Sequence, residues 1–171
     1  MQPQHRYIIG SLVIILAAFI VAIAFNGRST PTRSTQNQEE EVAGEDCHNF
    51  SETHVQVGDI QVPIALADTK EEHAQGLSGC AAVPEGKGMY FTFTPRSTAT
   101  FWMKDMIIPI DILWIRDGKV AGIEASVPAE IGVADSDLAR YRHSQAIDGA
   151  LELAAGQAAI LGIQVGDEVA F

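Results

Sequence analysis

The stretch IIPIDILWIRDGKVAGIEASV, residues 107–127, decides the fold. Ile107 to Arg116 is rich in β-branched and aromatic residues, and Asp117-Gly118 follows as a two-residue turn. Lys119 to Val127 then runs back. Two strand-like runs around Asp-Gly are the strongest short-range signature of a β-hairpin. Earlier in the chain Val55 and Val57, then Ile60, Val62, Ile64 and Leu66, alternate around Gly58-Asp59 in the same way. Between the hairpins, Gly88 to Phe93 (GMYFTF) and Thr98 to Met103 (TATFWM) read as further strands. Ala150 to Leu153 adds another, and Gly166-Asp167 turns into a last one ending at Phe171. Two short helices complete the count. Thr69 with Glu72 forms a capping box ahead of Gly76, and Gln157 to Leu161 is the second. Pro128 to His143 carries no period and reads as surface loop. Strands joined by tight turns predict a mainly β domain, an antiparallel sandwich or barrel.

Upstream the composition changes twice. Ile8 to Phe25 (IIGSLVIILAAFIVAIAF) contains no charge and no polar stripe. Its length is close to the roughly 20 residues that cross a bilayer as a helix. The flank at residues 1–7 carries Arg6, as a signal sequence would, and Ala22-Ile23-Ala24 could serve as a cleavage site. The apolar run exceeds the usual length of about 7–15 residues in a signal, which favours an uncleaved anchor. Flanking charge hardly orients it, with Arg6 on one side and Arg28 and Arg33 on the other. Residues 26–46 are rich in Ser, Thr, Gln and Glu and have almost nothing to bury, so a disordered tether is expected. The folded domain is then 47–171, with the membrane as a partner through residues 8–25.

The domain carries eight Lys/Arg against seventeen Asp/Glu, a net charge of −9. Nucleic acid, which is held through basic surface, is therefore not an expected partner. The five histidines lack metal-ligand spacing, and no metal or cofactor is expected. Met103 and Met106 could be soft copper ligands, but core packing explains them better. There is no phosphate loop, dinucleotide glycine motif or Gly-x-Ser-x-Gly.

The order of several short motifs resembles the signature of the domain of unknown function 192 family (uncharacterised protein family 0127). These are Gly76-Leu77, Gly88-Met89-Tyr90-Phe91, Phe101-Trp102-Met103-Lys104, Pro109-Ile110-Asp111, Leu151-Glu152-Leu153-Ala154-Ala155-Gly156 and Gly166-Asp167. Together they cover essentially the whole domain. The resemblance implies a compact β fold of jelly-roll-like sandwich type, often exported or tethered by lipid or helix, and implies no activity. Two positions depart from the pattern. The Arg that usually follows the Gly-Leu turn is absent from Ser78-Gly79-Cys80, and Gly149-Ala150 replaces an aromatic before Leu-Glu-Leu.

Two constellations carry the candidate chemistry. Cys47 and Cys80, an even pair in an exported domain, invite a disulfide, and a nucleophilic Cys80 with His143 or His73 is the rival. A bond would place the C-terminal domain outside the cytoplasm. The second set is charge among apolar residues. Asp111 lies between Ile110 and Ile112, Glu152 between Leu151 and Leu153, and Lys104 follows Phe101-Trp102-Met103. Solvated sheet faces, backbone bonds in turns and surface ion pairs would account for all three. The sharper reading gathers Trp102, Lys104, Asp111 and Glu152 into one polar-lined cleft with an aromatic wall. A non-catalytic module binding a small ligand or an envelope partner is the expected function. An envelope hydrolase or lyase using Asp111, Lys104 and Glu152 is one alternative, and a scaffold or assembly factor another.

Overall fold

The computed structural model describes residues 47–51 and 53–171. The flank 1–7, the apolar segment 8–25 and the tether 26–46 lie outside the described residues. Among the described residues, no helix is long and apolar enough to cross a membrane.

Chain order is β1 (Thr53–Val57), β2 (Ile60–Ala67), α1 (Lys70–Gln75), β3 (Gly88–Ser97), β4 (Ile110–Arg116), β5 (Lys119–Val127), β6 (Ile147–Ala154), α2 (Gln157–Ile160) and β7 (Val169–Ala170). The described residues are mainly β with two short helices, as the strand patterns require. Both expected hairpins form. β1 and β2 pair with Val57 opposite Ile60, and β4 and β5 pair with Arg116 opposite Lys119. Thr69 and Glu72 make the capping box that starts α1.

The architecture keeps the expected mainly β class and refines the antiparallel sandwich or barrel of jelly-roll-like type to a single curled sheet. All seven strands belong to one sheet, in the order β5-β4-β6-β3-β2-β1-β7, and β2 pairs with β3 in parallel. The parallel step is possible because α1 and the loop after it form a crossover of about twenty residues, long enough to return the chain to the same end. β6 then slots between β3 and β4, antiparallel to both. The sheet curls until its edges meet. Val120 N–H donates to Asp167 O (2.9 Å), Gly166 N–H to Val120 O (2.8 Å) and Val169 N–H to Gly118 O (2.8 Å).

A correction concerns Thr98 to Met103, which is not a strand. Its strand-like pairing is limited to an isolated bridge of Phe101 with Tyr141, through two hydrogen bonds of 2.8 and 2.9 Å. The segment is used for its side chains, which cover the sheet instead of extending it. β4 likewise starts at Ile110, three residues after the apolar run begins.

Curling gives the sheet two buried faces. One gathers Val55, Val62, Ile64, Leu113, Leu151 and Leu153 with Ala158 and Ile163 from the region of α2. The other gathers Met89, Phe91, Ile110, Ile112 and Trp114, and is covered by Phe50, Leu77, Met103 and Met106 from the loops. Burial on both faces explains why β4 reads as a nearly continuous apolar run and not a strict alternation. The loop-covered face is also pinned covalently, because Cys47 and Cys80 form a disulfide.

Candidate functional site

Strand alternation divides the predicted site residues. Ile112 pairs with Glu152, and Asp111 pairs with Leu153. Directly paired residues share a face, so Glu152 sits with Ile112 under the loops, and Asp111 sits with Leu153 on the α2 side. The two carboxyl groups are neighbours in the sheet and are separated by its thickness.

Asp111 is 1 % exposed and fully engaged. Its Oδ1 accepts Ser126 N–H (2.7 Å) and Gly156 N–H (3.0 Å), and its Oδ2 accepts Ala158 N–H (3.0 Å). Each bond answers a local need. Ser126 has a positive φ of 53° where β5 carries an extra residue against β4. Gly156, at φ 82°, begins α2, and α2 has no side-chain cap of its own. Asp111 reaches across from β4 to cap that helix and to pin the bulge. This is a structural assignment that engages both carboxylate oxygens with backbone donors.

Lys104 is also placed outside any shared cleft. Its ammonium pairs with Asp135, and more distantly with Asp105 at 3.6 Å, at the surface. It lies 5.9 Å from the centre of the Trp102 ring, and the Arg140 guanidinium lies 4.4 Å from the same ring. Hydrogen bonding to Asp135 raises the Lys104 ammonium above its ordinary range.

Trp102 and Glu152 do come together. They line a cavity of about 200 Å³ on the loop-covered face, between the end of α1, β3 and the segment 99–106. Phe91, Phe93, Phe101 and Trp102 supply aromatic wall, and Leu77 and Met106 add aliphatic surface. Phe101 meets both Phe91 and Phe93 nearly edge to face, at 81° and 89°. Polar groups on the lining come from His73, Gln75, Ser78 and Thr100. The loops that form this wall are tied together. Ser78 Oγ donates to Lys104 O (2.8 Å), and Gly79 N–H donates to Asp105 O (2.9 Å).

Glu152 is the one carboxyl group on that lining, and it is 6 % exposed. Among the described residues, no hydrogen bond or ion pair engages its side chain. Desolvation alone pushes its carboxyl up to about 8, so the acid is mostly neutral near pH 7. Phe93 was not singled out from the sequence, and His73 and Phe91 were named there only in other roles, as a possible base beside Cys80 and as part of the Gly88-to-Phe91 motif. The signal available was indirect, because α1 and β3 had to be brought together before their residues could share a wall.

The cavity also collects much of the motif series. Gly76, Leu77, Phe91, Phe101, Trp102 and Glu152 all line it. Pro-Ile-Asp does not, its Asp111 being committed to α2.

Comparison with known proteins bears on the family and the fold. The family model DUF192, described as "Uncharacterized ACR", matches residues 53–171. A crystal structure of a protein of unknown function from Novosphingobium aromaticivorans is similar, at 31 % identity and a TM-score of 0.62. That match covers 70 % of this chain and 84 % of the other. A second structure, described as a candidate transcription regulator from Sinorhizobium meliloti, is similar at 26 % identity and a TM-score of 0.60. It covers 68 % of this chain and 91 % of the other. No curated protein sequence matches.

Proposed function

The chain belongs to the DUF192 family, and from that premise we propose that it is a membrane-tethered, extracytoplasmic module that binds a small ligand in the Glu152 cavity. One observation carries the binding reading. An almost fully buried carboxyl group without a partner stands in an aromatic-walled cavity, and leaving a buried acid unpaired is costly unless something else completes it. Concave apolar sites with a few polar groups are how small molecules are usually held. The hydrolase or lyase alternative asks for two carboxyl groups, or a lysine and a carboxyl, at one reacting centre. Asp111 lies across the sheet from Glu152, and Lys104 is turned to Asp135 at the surface. The tether reading is supported by the uncharged run Ile8 to Phe25 and by the disulfide, a bond typical of oxidising compartments.

The binding test uses the full chain in detergent, with Ala99→Trp as an obstructed control, because Ala99 lines the cavity. Small benzyl-sized probes should raise the melting temperature of the wild type and leave Ala99→Trp unmoved. Equal shifts in both proteins would place binding elsewhere and overturn the assignment. Orientation is tested separately. A phosphatase active only outside the cytoplasm, fused after Phe171, should be active, and an inactive fusion of normal abundance would reverse the tether reading.

A further inference from the structure

Resting on the cavity being a ligand site, we infer that its ligand is an organic cation, with an ammonium group against Glu152 and an apolar remainder against Phe91, Phe93, Phe101 and Trp102. Three observations lead there. First, among the described residues Glu152 has no counter-ion, and neither Lys nor Arg lines the cavity to supply one. A ligand that brings a positive charge completes the pair. An anionic ligand would meet a carboxyl group on the lining, with the nearest Lys and Arg held outside against Trp102. Second, aromatic rings attract cations through their electron-rich faces, an attraction strongest where water is excluded. The outer part of the site already shows this, since Arg140 packs at 4.4 Å from the Trp102 ring centre. Third, the surrounding domain is strongly acidic, which favours accumulation of cations at the mouth.

The chemistry of capture follows from the protonation of Glu152. The Glu152 acid is mostly protonated near neutral pH because burial disfavours its charge. An arriving ammonium favours the carboxylate, so binding expels the proton to solvent and forms an ion pair. No covalent bond changes. The apparent affinity is the intrinsic affinity multiplied by the ionised fraction of Glu152. With a value of about 8, that fraction rises roughly 50-fold between pH 6 and pH 8. Other titratable or charged groups face the site. His73 lines it from α1, and Lys104 and Arg140 lie against Trp102 from the neighbouring loops. The Glu152→Gln variant keeps all three and removes only the acid.

The experiment compares benzylammonium, benzyl alcohol and benzoate on the detergent-solubilised full chain by calorimetry at pH 6, 7 and 8. The inference expects benzylammonium to bind tightest and its affinity to rise by about 50-fold over that range. Close to one proton should leave per bound ligand at pH 6, read from buffers of different ionisation enthalpy. Glu152→Gln should weaken benzylammonium at pH 8 at least tenfold and flatten its pH dependence. Benzyl alcohol binding as tightly as benzylammonium would overturn the cation assignment and leave the cavity reading standing. A pH dependence that persists in Glu152→Gln would overturn it as well. If none of the three probes binds, the cavity reading itself falls.

Discussion

Asp111 and Glu152 stand on adjacent strands and on opposite faces of the sheet. Their backbone positions are one residue out of register, Asp111 facing Leu153 and Glu152 facing Ile112. That single step gives two buried carboxyl groups different tasks. Asp111 has three backbone N–H donors and no cavity, while Glu152 has a cavity and no donor.

Asp111 is therefore expected to matter for stability and not for ligand contact. Asp111→Ala would strand the N–H groups of Ser126, Gly156 and Ala158, and unpaired buried donors cost about 1–3 kcal/mol each. With partial relaxation, a loss on the order of 3–5 kcal/mol is expected in denaturant unfolding. Asp111→Asn keeps one acceptor oxygen and should lose clearly less. Equal stability of wild type and Asp111→Ala would show that the three bonds contribute nothing net.

The division between these two acids explains what was legible in the sequence. Both hairpins were legible because Gly58-Asp59 and Asp117-Gly118 each sit between runs of the right composition, and a turn is a local event. The capping box at Thr69 and Glu72 was legible for the same reason. Period-2 alternation also placed Asp111 on the face of Leu113 and Ile115. The position of β6 between β3 and β4 was not legible, because strand order depends on long-range pairing that no local pattern encodes. Without that order Glu152 could not be assigned to the opposite face. Thr98 to Met103 misled because its apolar alternation serves loop side chains that cover a sheet, and a covering loop and a strand can share that pattern. Trp102 and Glu152 line one cavity, whereas Lys104 is drawn outward by Asp135, a partner 31 residues away.

The Cys47–Cys80 bond closes a loop with a sequence separation of 33. Chain-entropy arguments give such a cross-link roughly 3–4 kcal/mol of stabilisation. It also holds the segment that carries Phe50, a wholly buried ring of the loop-covered face. The double variant Cys47→Ser with Cys80→Ser should unfold at correspondingly lower denaturant, and reductant should destabilise the wild type but not the variant. A reductant effect of the same size in both would place the sensitivity elsewhere.

Gly88 tests how tightly β3 and β6 approach. A Cβ at Gly88 would lie 2.5 Å from the Glu152 carbonyl oxygen and 2.7 Å from a Leu153 methyl carbon. The first contact is backbone and cannot rotate away. Gly88→Ala should therefore force the strands apart, with a cost of about 1–3 kcal/mol or more from overpacking. Because the strain falls on the backbone of Glu152, probe binding in the cavity should weaken together with stability. Gly86→Ala is a useful contrast. Gly86 has open space around it, and its penalty should come only from its positive φ of 71°. Thermal unfolding of both variants separates the two costs, and a benign Gly88→Ala would refute the close approach.

Glu152 predicts a pH dependence whose sign is unusual for an acid. Most carboxyl groups in folded proteins are stabilised in their charged form, so that acid unfolds the protein. Here burial raises the folded-state value to about 8, above an ordinary value of 4.5. The folded state then binds more protons than the unfolded state between those limits, and stability must fall as pH rises. The contribution is fully present below about 4.5, declines through the interval, and is spent above about 8. Glu152→Gln, neutral at every pH, removes the effect. Its stability relative to the wild type should rise between pH 5 and pH 8 by an amount on the order of 4 kcal/mol. Thermal or denaturant unfolding of the two proteins across that range provides the comparison. Parallel curves would mean that Glu152 titrates like an exposed acid, and that the cavity is wetter and better paired than its lining indicates.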